Sequence, residues 1–401
     1  MWYNIAMAIQ RVTDSITALL CRDWHRRLFD ELIPLPDGTS YNAYVVAGTD
    51  KVALIDTADP RCAAEFTSEL DALKLPRIDF IVSNHAEQDH SGCLPLVAQK
   101  YPEASILATP KGKEILTGLL PVPPERIRPV QDGETVSLGG RTLQFIHAPW
   151  VHWPETMLTA VPEESTLFPC DLFGSHLATS AAYADDRPRV LEAAKRYYAE
   201  IMMPFRAPIA RHLEKIASLN LSRICPSHGP MHADPSWILA AYRDWVSDRV
   251  SNEVVVPFVS MHGSVAAMVR HFTNLCEQLG IAVIPFDLPV SDAGKIAISL
   301  VDAATVVAGT PTVLAGPHPA CAHALTLINA LRPKTRVVSF LGSYSWATRL
   351  HEQVPALVPN LKAKFLPPVV ARGFPGQADL ERIASLASAI ADEHRCLGVL
   401  P

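Results

Sequence analysis

The rhythm of apolar and polar positions changes once along the chain. Up to about residue 250, apolar residues come in short runs. Tyr44–Ala47, Val52–Ile55, Ile78–Val82, Ser105–Ala108, Leu143–His147 and Ser165–Phe168 each read as a strand. Turn residues part them, as in Pro36-Asp37-Gly38 and Gly139-Gly140. From about residue 253, strand-like runs alternate with helical periodicity. The order is Val254–Ser260, a helix to Leu279, Ile281–Phe286, a helix, Thr305–Ala308, a helix, Arg336–Leu341, a helix, Lys364–Leu366 and a last helix. Strands alternating with helices predict a parallel, doubly wound sheet. The linker is expected near Asp248–Glu253, which divides the chain into domains 1–250 and 251–401.

Composition narrows the class. The 401 residues are 49% apolar, enough for two sizeable cores, and the net charge of −6 offers no basic footprint for nucleic acid. Eight cysteines are scattered without a C-x-x-C pair, which argues against a zinc ribbon, a thioredoxin motif or an iron–sulfur site. Such cysteines read as small buried hydrophobes in a reducing compartment, so a cytoplasmic location is expected. Arg11 and Asp14 break the only apolar stretch near the start, and no run of about eighteen apolar residues occurs. Neither a signal peptide nor a membrane span is expected.

The densest chemistry lies at Asn84–Gly92, N-H-A-E-Q-D-H-S-G, which packs His85, Glu87, Asp89 and His90 into six positions. The stretch follows the Ile78–Val82 strand and precedes Leu94–Tyr101, which reads as the start of a helix. Strand ends of this kind carry functional loops. His152 follows in H-W-P-E-T-M, Asp171 in C-D-L-F-G-S-H and His228 in P-S-H-G-P, each at or just after an apolar run. Imidazoles and carboxylates without thiolate suit iron, manganese or zinc, and a carboxylate such as Asp171 can bridge two cations. His176 is expected as a proton donor behind the ligands or as a partner for a carboxylate. Asp56 is expected to orient the metal loop by hydrogen bonds. His147, His25, His232, Tyr41 and Tyr44 read as structural, surface or packing residues.

In the second half, ligands of a doubly wound sheet sit at the carboxyl ends of strands. Three loops qualify: Ser260-Met261-His262-Gly263-Ser264, then Thr310-Pro311-Thr312 after Gly309, then Gly342-Ser343-Tyr344-Ser345-Trp346. The first precedes a helix and offers backbone N–H groups to a phosphate. Tyr344 and Trp346 could line a flat aromatic ligand. The combination resembles flavodoxin and suggests FMN; no G-x-G-x-x-G follows a strand, so a dinucleotide is not expected. The loops depart from that pattern where Val265 replaces the usual threonine, Val313-Leu314-Ala315 replaces a more polar stretch, and Pro257 interrupts the first strand. These departures predict weaker FMN binding than is usual.

The pattern H-x-E-x-D-H followed by His152, Asp171 and His228 resembles the flavodiiron proteins, a branch of the metallo-β-lactamase fold. Zinc hydrolases of that fold carry histidine where Glu87 stands; the hard, charged oxygen favours iron. D-W-H-R-R-L-F-D at 23–30, P-L-P-D-G-T-S-Y-N-A-Y at 34–44 and R-Y-Y-A-E-I-M-M-P-F at 196–205 also resemble family segments. The resemblance implies an α/β chain: an N-terminal metallo-β-lactamase-like αββα sandwich followed by a flavodoxin-like domain. It implies one iron on His85, Glu87 and His152, a second on Asp89, His90 and His228, and Asp171 between them. It further implies reduction of oxygen to water or of nitric oxide to nitrous oxide, with electrons passing through FMN. The donor would be external, such as rubredoxin or a flavin reductase, because no rubredoxin cysteine pairs or reductase extension occur before Pro401. The family assembles as a head-to-tail homodimer or a dimer of dimers. A zinc hydrolase and a non-turnover gas sensor remain as alternatives.

Overall fold

The computed structural model describes residues 9–401. The first residues of the stretch considered for a signal peptide lie outside that range. The chain forms two compact units, one running through Tyr197 and resuming at Phe205–Val246, the other comprising Tyr198–Pro204 and Ser247–Pro401.

The first unit is built on two sheets. One has seven strands in the order Ile9–Arg11, Ile16–Asp23, Thr39–Ala47, Val52–Ile55, Phe80–Val82, Ser105–Ala108 and Ile127–Pro129. Its first four are antiparallel neighbours and its last four run parallel. The other sheet has five strands in the order Thr135–Ser137, Thr142–His147, Met157–Val161, Thr166–Phe168 and Arg223–Ile224. Side chains alternate across each strand. Ile16, Ala18 and Leu20 therefore join Tyr44, Val46, Phe145, Met157 and Phe168 in a core shared by both sheets. Leu19 and Cys21 turn the other way and pack with Phe66, Leu70, Leu94, Val97 and Leu116 from the helices Ala63–Ala72, Leu94–Lys100 and Pro110–Leu119. Arg187–Tyr197, Arg206–Ala217 and Ser236–Val246 complete the helices of this αββα sandwich.

Sequence rhythm missed Ile16–Asp23 and Met157–Val161. Both strands are buried on both faces, so they show no polar alternation. The six strands expected in this unit are all present, within a few residues at their ends.

The second unit carries a parallel sheet in the order Ala282–Asp287, Ser251–Phe258, Ala303–Val313, Val337–Tyr344 and Lys364–Phe365, with Val369–Arg372 also paired to Val337–Tyr344. Second, first, third, fourth, fifth is the flavodoxin order. One face packs on the helices Ser264–Gln278 and Gln377–Cys396 through Met268, Phe272, Ile383 and Ile390. The other packs on Pro319–Leu331 and Leu350–Ala356 through Cys321, Leu325, Leu350 and Val354. Pro257, expected to weaken the first strand, sits one residue from its end. Seven of the eight free cysteines are buried, as their scatter suggested; Cys396 is exposed. No helix among the described residues is long and apolar enough to cross a membrane.

His232 is a packing residue of the first unit. Its backbone bridges Ile224, and its Nε2 donates to the Phe173 carbonyl at 3.0 Å. Burial pushes its imidazole down to about 4, so the ring is neutral when folded. The unfolded chain therefore binds the extra proton between about pH 6.5 and 4. Stability from this site is full above that window and falls by about 3 kcal/mol as pH drops through it. The variant His232→Asn should lose less stability than the parent between neutral and mildly acidic pH, as read by chemical denaturation. Equal losses in the two proteins would contradict this account.

Candidate functional site

The loop Asn84–Gly92 leaves the strand Phe80–Val82 and is pinned before it reaches its first histidine. Asp56 accepts Asn84 N at 2.8 Å and Asn84 Nδ2 at 2.9 Å. The Thr159 hydroxyl donates to Asn84 Oδ1 at 2.7 Å. Further along, Ser91 Oγ donates to Ala86 O at 2.7 Å, and Thr57 donates to His90 O through N at 2.8 Å and Oγ1 at 2.6 Å. Asp56 thus orients the loop, as expected. Burial pushes its carboxyl up to about 6, and its backbone lies in the left-handed region at φ 55°.

The seven residues singled out as ligands all converge at the facing ends of the two sheets. His85 Nε2 and His152 Nε2 each lie 3.1 Å from Glu87 Oε2. The same two nitrogens lie 3.6 and 3.5 Å from Asp171 Oδ2. On the other side, His90 Nε2 and His228 Nε2 lie 3.3 and 3.2 Å from Asp89 Oδ2. They lie 2.9 and 3.3 Å from Asp171 Oδ1. Asp171 therefore turns one oxygen to each group of three.

Ring orientation is set from behind. His85 Nδ1 lies 2.6 Å from Glu155 Oε1, which also accepts Ala86 N at 3.0 Å. His228 Nδ1 donates to Ser40 O at 2.7 Å. Both rings thus present Nε2 to the centre, the arrangement that fixes a metal-binding tautomer. Gly229 follows His228 at φ 75°, and a Cβ there would meet Ser175 Oγ at 2.1 Å, so only glycine fits this turn. Tyr197 donates its hydroxyl to Asp171 Oδ1 at 2.8 Å.

The electrostatics call for positive charge. Burial opposes ionised imidazoles, yet the carboxylates prevail. Glu155, Glu87 and Asp171 hold His85 well above its usual range, Asp89 and Asp171 raise His90, and carboxylate hydrogen bonds lift His152 to about 9 and His228 to about 10. Burial raises the Asp171 carboxyl, but His90, His152 and His228 hold it well below the carboxylate range. Both Asp89 oxygens, His90 Nδ1 and Asp171 Oδ2 are buried without a hydrogen bond among the described residues. Orphaned buried carboxylate oxygens are costly unless a cation meets them. Ligand atoms of His85, His152 and Asp171 lie within 4.8 Å of one another, as do those of Asp89, His90 and His228. The donor set fits a pair of first-row metal ions.

His176 lies behind this centre, its ring 4.9 Å from His228 and 4.7 Å from Tyr197. Its Nδ1 pairs with Thr39 Oγ1 at 2.9 Å, not with the carboxylate that its place in the sequence allowed. Burial and the neighbouring His228 hold it well below its usual range, and its Nε2 has no partner among the described residues. Glu155 and Tyr197 were not singled out from sequence. Glu155 stood three residues after a ligand in H-W-P-E, the signal that could have found it. Tyr41 and Tyr44 are buried, and Tyr44 donates to Pro226 O at 2.6 Å. His25 is exposed, and His147 is tied by its backbone to Asp132 and by Nε2 to Val130 O.

The second unit, taken by itself, holds a cavity of about 430 Å³ at the carboxyl ends of its strands. Ser260, Met261, His262 and Ser264 line it from the first loop, Pro311 and Thr312 from the second, and Ser343, Tyr344 and Trp346 from the third. Three expected residues do not line it. The Thr310 hydroxyl is buried, accepting His318 N and donating to Pro311 O, both at 2.9 Å. Gly342 lies inside its strand, where a Cβ would meet Leu350 Cδ1 at 2.7 Å. Gly263, at φ 88°, turns the chain into the helix Ser264–Gln278. Gly373 and Phe374 line the cavity too, as do Val265 and the stretch Val313-Leu314-Ala315, and G-F-P-G after the strand Val369–Arg372 was the sequence signal for the first two. Val313-Leu314-Ala315 forms a hairpin tip with Leu314 and Ala315 at φ 48° and 68°, leaving Leu314 fully exposed.

A family model described as ODP family beta lactamase matches residues 39–229. The nitric oxide reductase of Moorella thermoacetica is 34% identical over 391 residues, covering 95% of this chain and 97% of that protein. A coenzyme F420H2 oxidase of Methanothermobacter marburgensis is 31% identical, covering 84% of this chain and 86% of its own length. Among solved structures, the rubredoxin oxygen:oxidoreductase of Desulfovibrio gigas superposes with a TM-score of 0.92 at 26% identity, covering 97% of this chain and 99% of its own.

Glu155→Gln keeps the shape of this side chain and removes its charge. Metal affinity on the side of His85, Glu87 and His152 should fall about tenfold to a hundredfold, while the other group of three keeps its ion. Chelator competition followed by metal counting reads this. Unchanged retention at both positions would show that Glu155 does not tune the centre.

Proposed function

The chain belongs to the flavodiiron protein family and is an oxidoreductase, and we propose that it reduces dioxygen to water, nitric oxide to nitrous oxide, or both, at a non-haem diiron centre. The observation that carries this reading is Asp171, whose two oxygens face two separate groups of three ligands. His85, Glu87 and His152 would hold one iron, Asp89, His90 and His228 the other. Two irons supply redox change and Lewis acidity toward a diatomic oxidant, and FMN supplies electrons singly or in pairs.

The chain's own residues do the positioning. Glu155 and Ser40 O fix the rings of His85 and His228, and the Tyr197 hydroxyl holds Asp171 Oδ1. Burial of every ligand except Glu87 and His152, which are 14% and 13% exposed, keeps water from all but one side. Neutral His176, whose Nε2 has no hydrogen-bond partner among the described residues, lies behind His228 and can hold a proton at that atom. Glu87 adds a hard oxygen and a negative charge, which supports iron over a zinc hydrolase.

In the second unit, the three loops and Phe374 would hold FMN, with Trp346 against the ring. Electrons would come from a separate donor, a reading supported by relatives whose names pair an oxygen:oxidoreductase with rubredoxin or an oxidase with coenzyme F420H2. The family resemblance supports a head-to-tail homodimer or a dimer of dimers, with the FMN of one subunit serving the irons of the next. Eight free thiols, seven of them buried, support a cytoplasmic setting.

Protein produced with iron supplied should carry about two irons per chain, and Asp171→Asn should lose metal from both positions. Elemental analysis reads both. Stoichiometric zinc with little iron would overturn the diiron reading. In anaerobic stopped-flow, the fully reduced protein should be reoxidised by oxygen, by nitric oxide or by each; failure with both gases would overturn the reductase reading.

A further inference from the structure

Residues 23–34 of the first unit form a small hairpin that lies against the metal centre. Leu28–Phe29 and Ile33–Pro34 pair antiparallel, and Asp30 and Glu31 turn the chain between them at φ 49° and 53°. A hairpin this short does not hold its place by pairing alone. Arg26 supplies the anchor. Its backbone N donates to Asp23 Oδ1 at 3.0 Å, and its Nε donates to Leu28 O at 3.1 Å. Its Nη1 donates to the Tyr41 hydroxyl and, at 2.6 Å, to Asp59 Oδ2. The guanidinium carbon lies 5.1 Å from the ring centre of Phe29 and 5.9 Å from that of Tyr41. Asp59 is itself fixed, accepting Arg61 N at 2.8 Å through Oδ1. The side chains of Arg26 and Asp59 are buried, so removing either leaves a charge unmet.

Both rings held by Arg26 reach the metal centre. Phe29 lies 5.1 Å from the His176 ring and 6.5 Å from that of His228, and Tyr41 lies 5.7 Å from His228. With Tyr197, also at 5.7 Å, they wall His228 in aromatic surface. The side chains of Asp89, His90 and His228 are at most 4% exposed. Glu87 and His152 keep 14% and 13% of theirs exposed, although Trp153 lies 6.2 Å from His152. Each group of three offers two imidazoles and one carboxylate beside Asp171. The groups are therefore alike in donors and unlike in cover.

We propose that Arg26 is a positioning residue of the metal centre. By holding Phe29 and Tyr41 over His228, it seals the group of Asp89, His90 and His228, whose ion therefore exchanges slowly. The other ion, on His85, Glu87 and His152, exchanges with solvent past Glu87 and His152. The inference rests on the reading of the two groups as a pair of iron positions. Arg26 acts through the two rings, and its planar fork is what lets one side chain serve Asp59, Tyr41 and Leu28 O together. Lysine would keep a charge beside Asp59 without that reach.

The test loads the full chain with iron, removes the excess, keeps the protein reduced without oxygen, and follows release of iron to ferrozine by absorbance. The parent should release its two irons in two resolved phases. Glu155→Gln, which acts behind His85, should speed the fast phase and so identify it. Arg26→Met should speed the slow phase about tenfold or more and leave the fast phase nearly unchanged. Arg26→Lys should fall between parent and Arg26→Met. Phe29→Ala removes one ring, keeps Arg26 on Asp59, and should also speed the slow phase, so the proposal is tested even where Arg26→Met does not fold. A single phase in the parent, a slow phase that answers to Glu155→Gln, equal acceleration of both phases in a folded variant, or no change in Phe29→Ala would each overturn the proposal and leave the diiron reading intact. A folded parent that takes up no iron would overturn the diiron reading, and the proposal with it.

Discussion

Too much negative charge in too little water is the constraint that the first unit is built around. Glu87, Asp89, Asp171 and Glu155 are gathered among four imidazoles at the facing ends of two sheets. Carboxylates at that depth are tolerable only beside cations. The upward displacement of all four imidazoles expresses the demand from the protein side. Much of the surrounding polar detail follows from it. Asp56 and Thr159 hold Asn84, Glu155 holds both a ring and an amide, and Tyr197 takes the one Asp171 oxygen that also faces His90 and His228. Each bond removes a freedom that the like charges would otherwise use to move apart.

The ligands were legible in sequence because they are crowded. Four in six positions are too many for a merely solvated turn, and His152, Asp171 and His228 each follow an apolar run that ends beside the same centre. The residues that orient them were not legible. Glu155 and Tyr197 stand in stretches with no cluster of ligand residues, and their partners, His85 and Asp171, are 70 and 26 residues away. Backbone acceptors such as Ser40 O leave no signature in composition at all. For a related reason, the strands at Ile16–Asp23 and Met157–Val161 escaped: buried on both faces, they lack the alternation by which a strand is read.

In the second unit, the strand–helix rhythm announced the topology, and the loops at the strand ends announced the cavity. What the rhythm could not distinguish was a residue that faces the cavity from one that shapes the wall behind it. Thr310 and Gly342 belong to the wall: one spends its hydroxyl on its own turn, and the other lets Leu350 approach its strand. The exposed hairpin tip at Leu314 is a local cost. Two consecutive non-glycine residues in left-handed geometry each store about 1 kcal/mol or more.

The ligands are divided between the two sheets. His85, Glu87, Asp89 and His90 follow a strand of the seven-stranded sheet, whereas His152, Asp171 and His228 hang from the five-stranded one. Each group of three draws on both. An ion held there is therefore a rivet through the sandwich, and any breathing that parts the sheets must first strip the ion of its ligands. Loss of the ion would remove that tie, so the stability of the sandwich should depend on how fully the metal positions are occupied.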